Sequence, residues 1–230
     1  EFDASRFPIW QQLLILIFDL KNYEEAIEIA DAALELFPGQ PTIYYLGGLS
    51  HLQLDNYQTA IDLFETGKIM VIANPDLLQR FYTSLGDAFY AQEDFEESDK
   101  AYEKSLEIKP DDVFVLNNYS YYLSLRGVNL ERAKEMMQRC TELKPGFTSY
   151  EDTYAWVFYK LKDYDQAMMW INKAINSGGD KSPVILEHYG DILFQLEQTD
   201  KAIEQWQLAK DLGSESEFIN QKIKDKQLYE

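Results

Sequence analysis

The sequence predicts an all-α protein: an α-solenoid of about six helix–turn–helix units in register, closed by a C-terminal capping helix. Three observations predict it. A small residue opens the second helix of every unit, at Ala26, Ala60, Ser98, Ala133, Ala167 and Ala202, with spacings of 34, 38, 35, 34 and 35 residues. A fixed period of this length marks stacked supersecondary units. Apolar residues recur at three and four within each unit, as one buried helix face requires. Only 11 Gly and 7 Pro interrupt the 230 residues, and no run alternates apolar and polar over a strand's length, which argues against sheet.

The units fall at about 7–40, 41–74, 79–112, 113–147, 148–182 and 183–213, a single array over 1–230 with the cap at 214–230. Each first helix carries its own small residue, at Gly48, Gly86, Ser120, Ala155 and Gly190, with Leu14 the exception. Seven places after the opening small residue comes another, at Ala33, Gly67, Ser105, Cys140, Ala174 and Ala209. Small side chains are needed where two helix backbones approach closely at a crossing. An aromatic or apolar residue stands three before the opening position, at Tyr23, Tyr57, Phe95, Leu130 and Tyr164, with Thr199 the exception. Pro38, Pro110 and Pro145 end three units, because proline cannot continue a helix.

Two units depart from the period. Four extra residues precede the third, where Asn74 reads as an N-cap and Pro75 as a first-turn proline, so a longer first helix is expected. One extra residue in "LRGVNLERA" widens the turn at Gly127. In the last segment Ser214 and Glu217 have capping-box spacing, and a charged outer face with the stripe Phe218, Ile219 and Ile223 suits a helix that seals the array. "PIWQQLLILIFDL" at the other end is apolar nearly all round. Either further repeats precede residue 1, or another chain covers this helix.

Six in-phase copies of this pattern resemble the tetratricopeptide repeat, a helix–turn–helix unit of about 34 residues. The resemblance covers roughly residues 7–213. It implies a right-handed superhelical array whose first helices line a concave face that binds peptides or partner proteins. Carried onto this sequence, that face is lined by Ile15, Phe18, Tyr45, Leu49 and Leu52, then Asp87, Tyr90, Asn117 and Tyr121, then Asp152, Trp156, Tyr159, Glu187, Asp191 and Phe194. The lining begins apolar and becomes acidic and aromatic, which suits a segment bearing Lys or Arg. Asn side chains could hold an extended backbone in register. Some members clamp a C-terminal carboxylate with Lys, Asn and Arg at fixed inner positions. Here those positions hold Gln11, Ile15, Leu46, Asp87 and Tyr121, and Arg80 alone fits, so that subtype is not expected.

The formal charge of −19, from 40 acidic and 21 basic residues spread along the chain, repels phosphate backbones and anionic membranes. No apolar stretch has the length to span a bilayer; Leu13–Phe18 is too short. The single Cys140 fills a slot held elsewhere by Ala, Gly or Ser and reads as a small buried residue. "SGGDKS" at 177–182 lacks the spacing of a phosphate loop and reads as a linker, and "NYS" at 118–120 falls mid-helix.

Glu187, His188 and Asp191 lie within five positions and could suggest a metal or proton-transfer site. In register, Asp191 shares its place with Ile15, Leu49, Asp87, Tyr121 and Trp156, so the cluster reads as variable scaffold positions and not as a built site. Glu187 and Asp191, one turn apart, share a face, while His188 points elsewhere. His51 sits at a packing position and is expected to be partly buried and hydrogen-bonded. No catalytic residue, metal site or cofactor is expected. The expected function is a non-catalytic interaction scaffold. The alternatives are a structural spacer in a longer repeat protein, or an accessory part of an enzyme whose catalytic portion lies elsewhere. The style of the repeats is that of bacterial proteins, and envelope and cytoplasm both stay open.

Overall fold

The structure, a computed structural model, describes residues 6–229. Among them are thirteen α-helices and no strand. The chain forms two compact units, Glu1–Pro110 and Asp111–Glu230. The first holds α1 (Phe7–Asp19), α2 (Tyr23–Leu36), α3 (Pro41–Gln53), α4 (Tyr57–Ile69), α5 (Pro75–Ala91) and α6 (Phe95–Ile108). The second holds α7 (Val113–Arg126), α8 (Leu130–Leu143), α9 (Thr148–Lys160), α10 (Tyr164–Asn176), α11 (Pro183–Gln195), α12 (Thr199–Asp211) and the short α13 (Ile219–Asp225). Within each unit every helix packs on its chain neighbour, and first helices also touch the next first helix: α1 on α3, α3 on α5, α7 on α9 and α9 on α11.

Five of the six pairs turn through a non-glycine residue in the left-handed region, at Lys21, Asp55, Glu93, Lys162 and Glu197. The next amide closes back onto the helix, as in Asn22 N to Ile17 O and Asp163 N to Phe158 O. This is the Schellman arrangement, and it satisfies carbonyls a helix end would leave bare. The α7–α8 turn, with its extra residue, uses Gly127 (φ +67) at that place and adds a second left-handed residue, Asn129. Two of the second helices begin at capping side chains: Asp94 accepts from Glu97 N at 3.3 Å and Asp163 from Gln166 N at 3.2 Å. Asn74 caps α5 through Leu77 N at 3.0 Å, and the four inserted residues extend α5 to 17 residues, as the sequence predicts.

The two helices of a pair are sized to each other where they cross. Four places after the opening small residue, the second helix carries Ala30, Phe64, Tyr102, Met137, Ile171 or Trp206. Opposite stand Leu14, Gly48, Gly86, Ser120, Ala155 and Gly190 in the same order. Glycine appears only against an aromatic ring. A Cβ on Gly48 would lie 2.4 Å from Phe64, on Gly86 2.8 Å from Tyr102, and on Gly190 2.4 Å from Trp206.

Three expectations need correction. The capping box at Ser214 and Glu217 does not form: the helix starts only at Ile219, and the Ser214 hydroxyl is placed against the half-buried Glu187 carboxylate and the Ser216 amide instead. Ser214 Oγ donates to Glu187 Oε2 at 3.0 Å, and Ser216 Oγ donates to Glu187 Oε1 at 2.8 Å. The outer face of the cap is not uniformly charged surface, since Lys222 is 3% exposed. His51 is half-buried, but its Nδ1 has no hydrogen-bond partner; burial first, against an opposing pull from Asp31, lowers its pKa.

On α1 the apolar surplus is exposed, with Ile15 40%, Leu16 55% and, at its C-cap, Leu20 67% accessible. Cys140 is fully buried, and burial pushes its thiol up to about 12. "SGGDKS" forms a linker with one 3₁₀ turn at Gly179–Lys181.

The crossing geometry predicts opposite outcomes for two adjacent-looking changes. Gly190→Ala drives a methyl into the Trp206 ring, and overpacking of roughly 1–3 kcal/mol exceeds the ~1 kcal/mol that alanine gains in a helix. Gly47→Ala meets Ala30 Cβ at 3.3 Å and Leu63 Cδ1 at 3.7 Å and is expected to be near neutral. Denaturant midpoints of the two variants against the parent check this.

Candidate functional site

The first-helix positions behave differently in the two units. In the N-terminal unit Tyr45, Leu49, Asp87 and Tyr90 are half-buried. Tyr45 packs edge-on to Phe81 at 5.2 Å, and burial raises its hydroxyl above the ordinary tyrosine range against the pull of a hydrogen bond with Ser84. Asp87 accepts the Tyr102 hydroxyl across the pair. Tyr90 lies 5.4 Å from Phe95.

In the C-terminal unit Asn117, Tyr121, Glu187 and Phe194 are half-buried, while Asp152, Trp156, Tyr159 and Asp191 are buried. Helix α9 is buried continuously from Tyr150 to Tyr159. Its polar groups need partners there. Glu151 accepts from Ser177 Oγ at 2.7 Å, and Asp152 Oδ1 meets His188 Nδ1 at 2.9 Å. The His188 ring stacks on Trp156 at 4.1 Å, and Trp156 stacks on Tyr159 at 4.5 Å and 7°. Trp156 Nε1 is buried without an acceptor.

Glu187 and Asp191 share one face, as their spacing predicts, and Lys222 of α13 bridges them. Its Nζ donates to Glu187 Oε1 at 2.9 Å and to Asp191 Oδ1 and Oδ2 at 2.9 and 2.8 Å. Trp206 Nε1 donates to Asp191 Oδ1 at 2.8 Å. Glu187 and Asp191 are therefore more than variable scaffold positions, since Lys222 joins them in one polar network, while His188 points elsewhere, as expected, and pairs with Asp152. The register held the missing signal. The position of Asp191 carries a carboxylate only where the facing second-helix residue is a hydrogen-bonding aromatic, as in Asp87 with Tyr102 and Asp191 with Trp206. The pairs with Ala30, Phe64, Met137 and Ile171 carry Ile15, Leu49, Tyr121 and Trp156 there. Lys222 had no such signal, since it comes from a segment outside the repeat.

The network bounds a cavity of about 440 Å³ between α9, α11 and the segment after α12, with Trp156, Lys160, His188, Phe218 and Tyr229 among its walls. Among the described residues no cluster of three or more His, Cys, Asp or Glu is arranged to hold a metal ion. Burial pushes the Asp191 carboxyl up to about 6, against the opposing pull of Lys222. Burial likewise raises Glu187, but the Lys222 charge and the two serines overcome it and the net shift is downward. Burial pulls the His188 imidazole down, and the charges of Asp152, Asp191 and Glu187 overcome it to raise it.

The signs of these shifts set a pH dependence. A raised His188 contributes stability below about pH 6.5 that is lost as pH rises through its folded value. A raised Asp191 holds its proton longer in the folded state, so folding also weakens as pH rises from its ordinary value towards 6. Glu187 acts oppositely, losing stability as pH falls below its ordinary range. The melting temperature of the C-terminal unit is expected to fall by a few degrees between about pH 5.5 and pH 8, and Asp191→Asn should flatten the acidic part of that slope. Lys222→Met leaves two buried carboxylates without their cation and should cost roughly 3–5 kcal/mol, read as an early unfolding transition in differential scanning calorimetry.

Family models described as "Tetratricopeptide repeat" match residues 17–75, 79–112 and 153–177. The chain is 24% identical over 182 residues to the N-terminal acetyltransferase A complex auxiliary subunit NAA15 of Arabidopsis thaliana, covering 77% of this chain and 18% of that protein. It is 25% identical over 190 residues to the TPR repeat-containing protein YpiA of Bacillus subtilis, covering 82% and 43%. The chain thus spans less than half the length of either relative. Among solved structures, the APC/C complex Cut9–Hcn1 aligns over 97% of this chain and 44% of that one with a TM-score of 0.80 at 13% identity. Pseudomonas aeruginosa pilF aligns over 97% and 98% with a TM-score of 0.76 at 18% identity. YrrB, a TPR protein described as having an unusual peptide-binding site, aligns over 77% and 89% with a TM-score of 0.61 at 21% identity.

Proposed function

We propose that this chain, which belongs to the tetratricopeptide repeat family, is a non-catalytic scaffold that holds a segment of a partner protein on its first-helix face. The family is one of protein-interaction modules, and the similar YrrB carries a peptide-binding site. The observation that carries the reading lies on α7. Asn117 gives its Nδ2 to Asn118 at 3.1 Å, and its Oδ1 has no donor. One turn on stands the half-buried Tyr121. An unpaired buried acceptor costs roughly 1–3 kcal/mol, which a docked segment that drew the Asn117 amide outward would offset with a backbone N–H. Tyr45, Leu49, Asp87 and Tyr90 belong to the corresponding face of the N-terminal unit, and Asp152, Trp156, Tyr159, Glu187, Asp191 and Phe194 to that of the C-terminal one.

The buried members of this set are assigned a supporting part: they hold α9 and α11 in place, and contact falls to the half-buried residues. A segment bearing Lys or Arg is the preferred partner, given a net charge of −19. No helix among the described residues is long and apolar enough to cross a membrane.

A second reading is favoured by the exposed Ile15, Leu16 and Leu20: α1 packs against a further helix of a longer array or of another chain. A peptide library graded in lysine and arginine content, scored by fluorescence anisotropy, tests the first. Asn117→Ala and Tyr121→Ala are expected to weaken the best binder roughly 5- to 30-fold with helical circular dichroism unchanged. Unaltered affinity in both variants would remove the first-helix face as the site.

A further inference from the structure

Two places after the opening small residue, second helices carry a charged, exposed side chain: Glu28, Asp62, Lys100, Glu135 and Glu204. The fifth pair breaks this pattern. It has Met169, 42% exposed, followed by the half-buried Trp170. Neither helix formation nor solubility calls for an exposed methionine where a charge serves elsewhere.

Met169 and Trp170 edge a cavity of about 550 Å³ between α8 and α10, floored by Tyr154 and Phe158 of α9. Tyr154 stacks on Phe158 at 4.7 Å and lies 4.6 Å from Trp170, so the rings form a continuous floor. Two carboxylates border it: Glu142 from α8, and Glu151, whose Oε2 accepts from Ser177. The chain's own Lys173 sets its Nζ 3.5 Å from the centroid of the Trp170 ring. This ring face therefore already receives an ammonium group.

We propose that this groove on the second-helix side of the C-terminal unit is a second docking surface, which takes a lysine or arginine side chain from an extended segment of a partner protein. The aliphatic stem lies along Met169, Tyr154 and Phe158, and the cation meets the Trp170 face and Glu142. Glu142 is exposed, its carboxylate touched by Gln138 at 3.1 Å and Arg139 at 3.9 Å; a neutral apolar occupant would strip its remaining water with no compensating charge, and an acidic one would be repelled. The surface lies on helices other than α7 and α11, so it stands or falls apart from the first-helix reading.

The test uses the full chain with ¹³C-methyl methionine, so that the Met169 methyl reports locally while Met70, in the other unit, serves as a control. The probes are a capped alternating Ala-Lys peptide and its Ala-Gln counterpart. The Ala-Lys peptide is expected to shift the Met169 signal saturably, and the Ala-Gln peptide is not. Trp170→Ala should weaken binding roughly 5- to 30-fold. Lys173→Ala should tighten it about 3-fold by freeing the ring face, an effect a merely apolar patch would not give. Asn117→Ala and Tyr121→Ala should leave it unchanged. If Trp170→Ala proves misfolded by circular dichroism, Met169→Lys, at an exposed site, is expected to abolish binding of the Ala-Lys peptide, read by fluorescence anisotropy of a labelled copy of that peptide. An unmoved Met169 signal, equal response to both peptides, or full affinity in Met169→Lys would overturn the proposal.

Discussion

Where the two helices of a pair cross, one side chain of each competes for the same space, and the pair stands only if the sizes are reciprocal. Glycine admits Phe64, Tyr102 and Trp206; Leu14 faces Ala30. Interiors pack at crystal-like density, so neither side can change alone. From this one constraint follow the close approach of the helices and the burial of the aromatic rings. It also fixes the direction in which the phenol of Tyr102 and the indole of Trp206 point. Those two polar tips then need acceptors, and each finds an aspartate one residue after the glycine. Asp87 and Asp191, which the repeat pattern places on an inner face, are in this sense consequences of packing.

At Asp191 the consequence propagates. A carboxylate 2% exposed cannot stay charged on one indole hydrogen bond. Lys222 supplies the cation, and in doing so ties α13 to α11. Glu187 joins the same ammonium and accepts from two serines, one of which, Ser214, is the residue whose spacing suggested a cap. The cap is thus held by charge as well as by Ile219. Buried ion pairs contribute little net stability, but losing one partner is costly, so such a cluster fixes one arrangement rather than strengthening the fold in general.

The same economy separates the surfaces available for partners. First helices in the C-terminal unit spend most of their polar groups on each other, and among the described residues they leave two buried side-chain atoms, Asn117 Oδ1 and Trp156 Nε1, without a hydrogen bond. The second-helix side is ordinarily a charged, solvated face. That charge is missing at the fifth pair, where aromatic residues from α9 and α10 adjoin and the position is filled by Met169. A scaffold with two unlike surfaces can bring two segments together without chemistry of its own.

The helices, their pairing, the long α5 and the widened α7–α8 turn were legible in the sequence, because small residues, prolines and capping side chains act locally and recur at a fixed period. The family resemblance rested on the same marks. The pairing of Glu187 with Asp191 on one face followed from their one-turn spacing. What the period could not carry was anything outside it. Lys222 lies in a segment with no counterpart to align, and its partners are 31 and 35 residues away. The unpaired nitrogen of His51 and the failed capping box arose from what surrounds each group in space. Local pattern determined which residues form helices and which faces turn inward. Only tertiary packing decided which polar groups meet, because burial sets the cost of every unpaired charge, and burial is a property of neighbours that the chain brings together only on folding.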